Sequence, residues 1–144
     1  SDVIYEVVQS IPEADETHIA WCHTTSPLFY DFDKCISQYV ATVDSGENNG
    51  LVAVSKCNEF ILDEHAAPVN YSWGPWHKYS QNLKKHFFVS GALFIAQKKE
   101  MAKNRYVIST NPYLYEASEI ESIDIDTEFD YEFARYAYKN LLGL

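Results

Sequence analysis

Between residues 18 and 56 a short apolar run (HIAWCH, 18–23), a helical stretch (DFDKCISQYVATV, 31–43) and a second apolar run (LVAVSK, 51–56) follow one another. In the middle stretch Phe32, Cys35, Ile36, Tyr39, Val40 and Val43 recur at spacings of three and four, the period of one helix face. The two runs are short enough for strands, and SGENNG at 45–50 breaks the helix before the second. Strand, helix, strand is a βαβ unit, and that unit implies a parallel sheet with a right-handed crossover. The chain is therefore expected to be an α/β protein. Ligands of such sheets bind beyond the carboxyl ends of the strands, which places the loop TTSPLF (24–29) at a candidate site.

The remaining segments extend this pattern. Residues 2–10 read as a helix capped by Ser1 or Asp2 and stopped by Pro12. Val3, Val7 and Ile11 share one of its faces, with Ile4 and Val8 beside them. HFFVSGALFIAQ (86–97) reads as a strand, and Ser90–Gly91 marks a bulge or a close backbone approach. A short basic helix (98–104), a strand (112–116), a last short strand SIDI (122–125) and a C-terminal helix (127–142) complete the chain. Phe129, Phe133, Tyr136, Ala137 and Leu141 of that helix are expected to face inward. Residues 59–79 differ in character: they are aromatic and turn-rich and read as an extended hairpin. Phe60, Ile61, Trp73, Trp76 and Tyr79 carry more apolar surface than a lone hairpin can hide. The segment either packs on a second subunit or folds back on its own core.

At 144 residues, 47% hydrophobic and 15% aromatic, the chain has the makings of a single domain with a real core. Its net charge of −10 argues against non-specific nucleic-acid binding. An anionic ligand would need a local cation, either a metal or a cluster such as Lys84, Lys85, Lys98 and Lys99. No apolar run is long enough to span a membrane, and no signal-peptide pattern opens the sequence. Cys22, Cys35 and Cys57 are odd in number and lack metal or disulfide spacing, which fits reduced thiols and a cytoplasmic location.

Three constellations carry chemistry. In SIDIDTEFD (122–130) an extended backbone would turn Asp124 and Asp126 to one side and Ile123 and Ile125 to the core. Two carboxylates on one face suit Mg²⁺, which takes oxygen ligands and keeps waters and substrate phosphates. The same residues equally suit a helix start, with Asp126 or Thr127 as cap and Glu128 and Asp130 in the first turn. HTTSPLF (23–29) offers His23 and the hydroxyls of Thr25 and Ser26 at a strand end. SQNLKKHFFVSGALFI (80–95) offers Gln81, Asn82, the Lys84–Lys85 pair and the Ser90–Gly91 turn.

The order of these features resembles the acylneuraminate cytidylyltransferases. That family has a Gln-Pro-Thr-Ser-Pro-Leu-Arg-like loop, matched by residues 23–29, and an SVVSV-type strand, matched by LVAVSK. A dimerisation arm follows, matched by 59–79, then an RQ-x-L…NGAIYI stretch, matched by 80–95. SIDIDTE-x-D closes the series and is matched almost letter for letter by 122–130. The likeness runs from about Thr17 to Tyr138.

It implies a Rossmann-like nucleotidyltransferase fold with a mixed, mostly parallel sheet, lacking its first strands, and a homodimer formed through the arm. It also implies transfer of CMP from CTP to a sugar acid for surface polysaccharide synthesis, with release of pyrophosphate. Asp124 and Asp126 match the catalytic, Mg²⁺-binding aspartates; His23, Thr25, Ser26, Gln81, Ser90 and Gly91 match substrate-binding positions. The departures are the loop Gln, here His23; the loop Arg, here Phe29; the RQ Arg, here Ser80; a basic residue, here Phe88; and the turn Asn, here Ser90. Loss of the arginines removes bidentate donors for a carboxylate-bearing sugar. The family's ARGGSKG-type triphosphate loop has no counterpart in the sequence. Two other readings stay open: a non-catalytic dimerisation or substrate-binding module, and an acyl or glycosyl transferase reusing an Asp-x-Asp motif.

Overall fold

The computed structural model describes residues 2–77, 79 and 82–141. Four strands, β1 (His18–Trp21), β2 (Gly50–Cys57), β3 (His86–Gln97) and β4 (Pro112–Glu116), form one sheet in the order β1-β3-β2-β4. The helices are α1 (Asp2–Ser10), α2 (Phe32–Asp44), α3 (Lys98–Asn104) and α4 (Glu128–Asn140).

The βαβ unit closes differently from the expected one. β1 and β2 point the same way, but β3 lies between them, antiparallel to both. Only β2 and β4 pair in parallel. The sheet is mixed, as expected, but two of its three pairings are antiparallel. Strand periodicity does not specify a neighbour, and residues 94–96 of β3 pair with β1 along one edge and with β2 along the other.

β2 is buried on both faces, which is why its sequence is a continuous apolar run. Leu51 and Ala53 join Ile95, Tyr115 and the α2 residues Cys35 and Tyr39 in one core. Val52, Val54 and Phe94 pack with Val107, and beside them Val8 of α1 meets Ala96 and Met101. Burial pushes the Cys35 thiol up to about 12, so it is a core group with no thiolate character at neutral pH.

Several expected helix faces are rotated. In α1 the inward residues are Val8 and Ile4, while Val3 and Val7 are exposed. In α4 they are Ala134 and Ala137, while Phe129, Phe133, Tyr136 and Leu141 are exposed. In both helices the apolar residues spread over more than half of the circumference, so periodicity alone allows more than one inward face. Small alanines let α4 sit close to Leu28 and Ile123.

SIDI is not a strand. Ser122 N–H closes a turn on the Ser118 carbonyl, and Ile125 N–H makes a lone bond to the Thr25 carbonyl at 2.8 Å. The alternation still holds in part, because Ile123 and Ile125 both join the core under α4.

Residues 59–77 form an irregular arm. Leu62 and Pro68 make an isolated bridge, and Asn70 ties the base together by donating to the Glu59 carbonyl and accepting from Ile61 N–H. Phe60, Tyr71, Trp73 and His77 stack on one another. Trp73, Trp76 and Tyr79 nevertheless stay 61%, 76% and 79% exposed.

Lys98 also departs from its expected place. Its side chain is buried, and its ammonium donates to the carbonyls of Ile11 and Glu13, both at 3.0 Å. It pins the α1–β1 connection to α3, and the whole of β3 separates it from the exposed Lys84–Lys85 pair, so the four lysines form no anion site. Lys98→Met is expected to cost about 2 kcal/mol through two lost charge-assisted bonds. The Lys98 and Lys99 amides, which donate to Thr17 and Asp15, should then exchange faster with deuterium. Unchanged exchange and melting would show that the pin is dispensable.

Candidate functional site

Three segments far apart in sequence converge at one end of the sheet. The first is the loop that leaves β1. The second is a bulge in β3: the β2–β3 register slips between Val52 and Val54, and Ser90 and Gly91 lie within the slip. Ser90 is buried and donates to the Ala53 carbonyl at 3.1 Å, which anchors the bulge. Gly91 takes φ +74°, a conformation open to glycine at little cost. The third is the extended stretch 123–127 leading into α4.

Ser26 links all three. Its buried hydroxyl lies 3.2 Å from Asp124 Oδ1 and 3.3 Å from the Ser90 carbonyl, and it donates toward both. The other carboxylate oxygen, Oδ2, faces Gly91, 3.6 Å from where a Cβ would stand. His23 Nδ1 lies 3.1 Å from that same point, its ring tilted against Phe94. His23, Ser26, Ser90, Gly91 and Asp124 therefore surround one small volume above the bulge. Thr25 enters through its backbone, whose carbonyl holds Ile125 N–H. Gln81 lies outside the described residues.

Asp126 is exposed, two residues beyond Asp124. Its backbone N–H reaches Asp130 Oδ2, which also accepts from Thr127 N–H at 2.8 Å. The Thr127 hydroxyl accepts from Asp130 N–H in return, a capping box that fixes the entry to α4. Thr127 and Asp130 form the cap, and the side chains of Asp124 and Asp126 take no part in it. Thr-x-x-Asp was the readable signal for this role of Asp130.

Among the described residues no group of three or more His, Cys, Asp or Glu could hold a metal ion. Mg²⁺ needs only one or two carboxylates when substrate phosphates and water supply the rest. Asp124 and Asp126 each offer oxygen donors of that kind.

Phe29, which stands where the resemblance places an arginine, is a core residue. It is buried and packs edge-on against Phe32 and Tyr115. Next to it the Tyr115 hydroxyl donates to Asp31 Oδ2 at 2.7 Å. That bond, aided by Lys34, holds the Asp31 carboxyl below its usual range. The Thr127 hydroxyl and backbone do the same for Asp130. A carboxylate depressed in the folded state contributes stability above its unfolded pKa and loses it as pH falls through the folded value. The melting temperature is therefore expected to fall as pH drops below about 4, and Tyr115→Phe with Asp130→Asn should flatten that fall. An equally steep profile in the double variant would remove these two carboxylates as its cause.

A groove of about 420 Å³ lies apart from this site, between α2 and the sheet face formed by His18, Ala20 and Ile95. A smaller one of about 250 Å³ lies under the loop, between Leu28, Ile125 and α4.

No protein-family model matches the sequence, and no curated protein matches it. The structure does have a likeness: 4-diphosphocytidyl-2C-methyl-D-erythritol synthase from Anaerococcus prevotii superposes with a TM-score of 0.62 over 94% of this chain, at 11% identity. The fold is shared with that synthase. The chain spans 64% of that neighbour's length. At that identity the likeness shows a shared fold, and it gives no support to the sialic-acid family in particular. Among the described residues no helix is long and apolar enough to cross a membrane.

Proposed function

We propose that this chain is the sugar-binding and metal-binding part of a cytidylyltransferase. The observation that carries this reading is the meeting of Ser26, Gly91 and Asp124 at one end of a sheet with a nucleotidyltransferase fold. In the complete enzyme a substrate hydroxyl would attack the α-phosphate of CTP, and pyrophosphate would leave. Ser26 would hold Asp124 in one rotamer, leaving Oδ2 directed at the site. The positive-φ turn at Gly91 keeps β-carbon bulk away, so a hydroxyl-bearing substrate could approach the β3 backbone between His23 and Asp124. Mg²⁺ on Asp124 and Asp126 would offset charge on the phosphates.

The substrate remains a sugar acid or a related polyol in this reading. The neighbour is named for a diphosphocytidyl-methylerythritol, and the burial of Phe29 removes one position at which a carboxylate clamp was expected. The protein would act in the cytoplasm as a homodimer, with Trp73, Trp76 and Tyr79 of the arm covered by the second subunit.

A second reading, a binding module without turnover, draws on two observations. About a third of the neighbour's length has no counterpart here, and the sequence holds no glycine-rich basic loop for a triphosphate. Pyrophosphate release from CTP, assayed on the protein made from its complete gene with sugar acids and with polyols, separates the two. Mg²⁺-dependent release with one substrate class supports the enzyme. CTP that neither binds nor turns over leaves the module. In the active protein Asp126→Ala is expected to lower kcat about 10²-fold, and a wild-type rate would remove Asp126 from the metal site.

A further inference from the structure

We propose that the outward face of α4 binds the same face of a second copy of this chain, the two helices running antiparallel across a two-fold axis. This contact is separate from the arm, and it does not depend on the proposed reaction.

The fully buried side chains of α4 are small. Ala134 and Ala137 turn inward, while Phe129, Phe133 and Tyr136 are 78%, 48% and 57% exposed. Spacings of four and three set the three rings along one side of the helix. A single exposed ring is ordinary, but a contiguous row of them marks a contact surface. Beside the row runs a shallow groove of about 390 Å³. Its lining residues, Glu132, Arg135, Tyr136, Lys139 and Asn140, all belong to α4.

The charges on this face specify the occupant. Glu128, Asp130 and Glu132 fill the first half of α4, and Arg135 and Lys139 the second. That polarity suits the helix dipole, but the dipole gives no reason for a row of exposed rings. By helical spacing Glu128, Glu132 and Lys139 border the row on its outer side. Among the described residues neither Glu128 nor Lys139 has an ion-pair partner within the chain. Acid in one half and base in the other is complementary to itself once a copy is turned end for end, as an isologous contact requires. With the axis beside Phe133 and Ala134, uniform helical rise sets Glu128 level with Lys139 of the second copy. Glu132 then lies level with Arg135 of the second copy, Phe133 meets its own equivalent, and Phe129 meets Tyr136. A parallel pairing would instead set acid against acid. A second copy supplies the matching pattern by symmetry, whereas another protein would have to carry it independently.

The three rings together leave about 350 Å² uncovered, less than half of one side of a standard interface. The contact is therefore weak and concentration-dependent, which decides the form of its test.

Sedimentation equilibrium over a range of concentrations is run on the protein made from its complete gene. Two charge-reversed variants, Lys139→Glu and Glu128→Lys, are compared alone and mixed, with circular dichroism confirming that each folds. Either variant alone sets like charges opposite each other and is expected to weaken the self-association step about tenfold or more. The equimolar mixture restores opposite charges at both ends of the contact, and its affinity should return to within about threefold of wild type. In parallel, Phe133→p-benzoylphenylalanine in a mixture of isotopically heavy and light protein should crosslink α4 of one copy to α4 of another, so that a charge variant that fails to fold does not end the test. Self-association equal in wild type and both variants overturns the proposal. So does a mixture as weak as its parents, or a crosslink to any other segment or protein. The readouts involve no CTP, so absence of turnover would remove the proposed reaction and leave this contact standing.

Discussion

Replacing Gly50 with alanine is expected to destabilise the protein by about 3 kcal/mol, at the upper end of the usual cost of overpacking a core. Gly50 opens β2, pairing with Ala96 of β3 on one side and Pro112 of β4 on the other. A methyl group there would stand 2.2 Å from Ser109 Oγ, 2.8 Å from its Cβ and 2.9 Å from the Ile95 carbonyl. The Ser109 hydroxyl can rotate away, but its Cβ and the Ile95 carbonyl cannot, so the sheet itself must move. For a domain of this size the melting temperature should fall by about 10 °C, read by thermal denaturation followed by circular dichroism. Gly50→Ala combined with Ser109→Gly should recover part of the loss, with the Ile95 carbonyl contact remaining. Ser109→Ala alone should be neutral or slightly stabilising, because the buried Ser109 hydroxyl has no hydrogen-bond partner. A Gly50→Ala protein that melts like the wild type would show that β2 and β3 can separate at this end without penalty.

Asp124→Asn should cost the complete enzyme about 10²- to 10³-fold in kcat, the scale of losing one preorganised electrostatic group. The substitution keeps shape and an acceptor for the Ser26 hydroxyl at the Oδ1 position, so folding and melting should stay near wild type. It removes the charge that Oδ2 directs toward Gly91. Ser26→Ala keeps the charge and loses the hydrogen bond that orients it, and a smaller loss of about tenfold is expected, on the scale of one hydrogen bond. Pyrophosphate release from CTP reads both. If Asp124→Asn retains wild-type kcat, the convergence of these segments is structural and the metal role of Asp124 falls. If Ser26→Ala costs more than Asp124→Asn, Ser26 acts on the substrate directly and not through the carboxylate.

Some of this protein was determined locally. β3, β4 and α3 coincide with the segments read from sequence because bulge, turn and helix signals flank them on both sides. The Ser90–Gly91 bulge was legible because a glycine inside an apolar strand has few other uses. The α4 cap was legible as a polar start, although the partnership of Thr127 with Asp130 emerged only in the structure. Asp124, Ser26 and Gly91 each stood out as residue types that suit a site. Their meeting did not, since 64 residues separate Ser26 from Ser90 and 98 separate it from Asp124. Tertiary packing also decided which strand lies beside β1, because pairing partners leave no mark on hydrophobic period. It decided the inward faces of α1 and α4, where the apolar arc is wider than the buried face and contact with Met101, Leu28 or Ile123 selects which part of it turns inward. It withdrew Phe29 into the core and Lys98 under the α1–β1 connection, because burial is a property of the assembled chain and not of the residue. Sequence by itself fixed the local backbone, whose preferences act over a few residues; the tertiary fold alone could gather distant hydroxyls and carboxylates, because that takes the whole core's burial energy to hold.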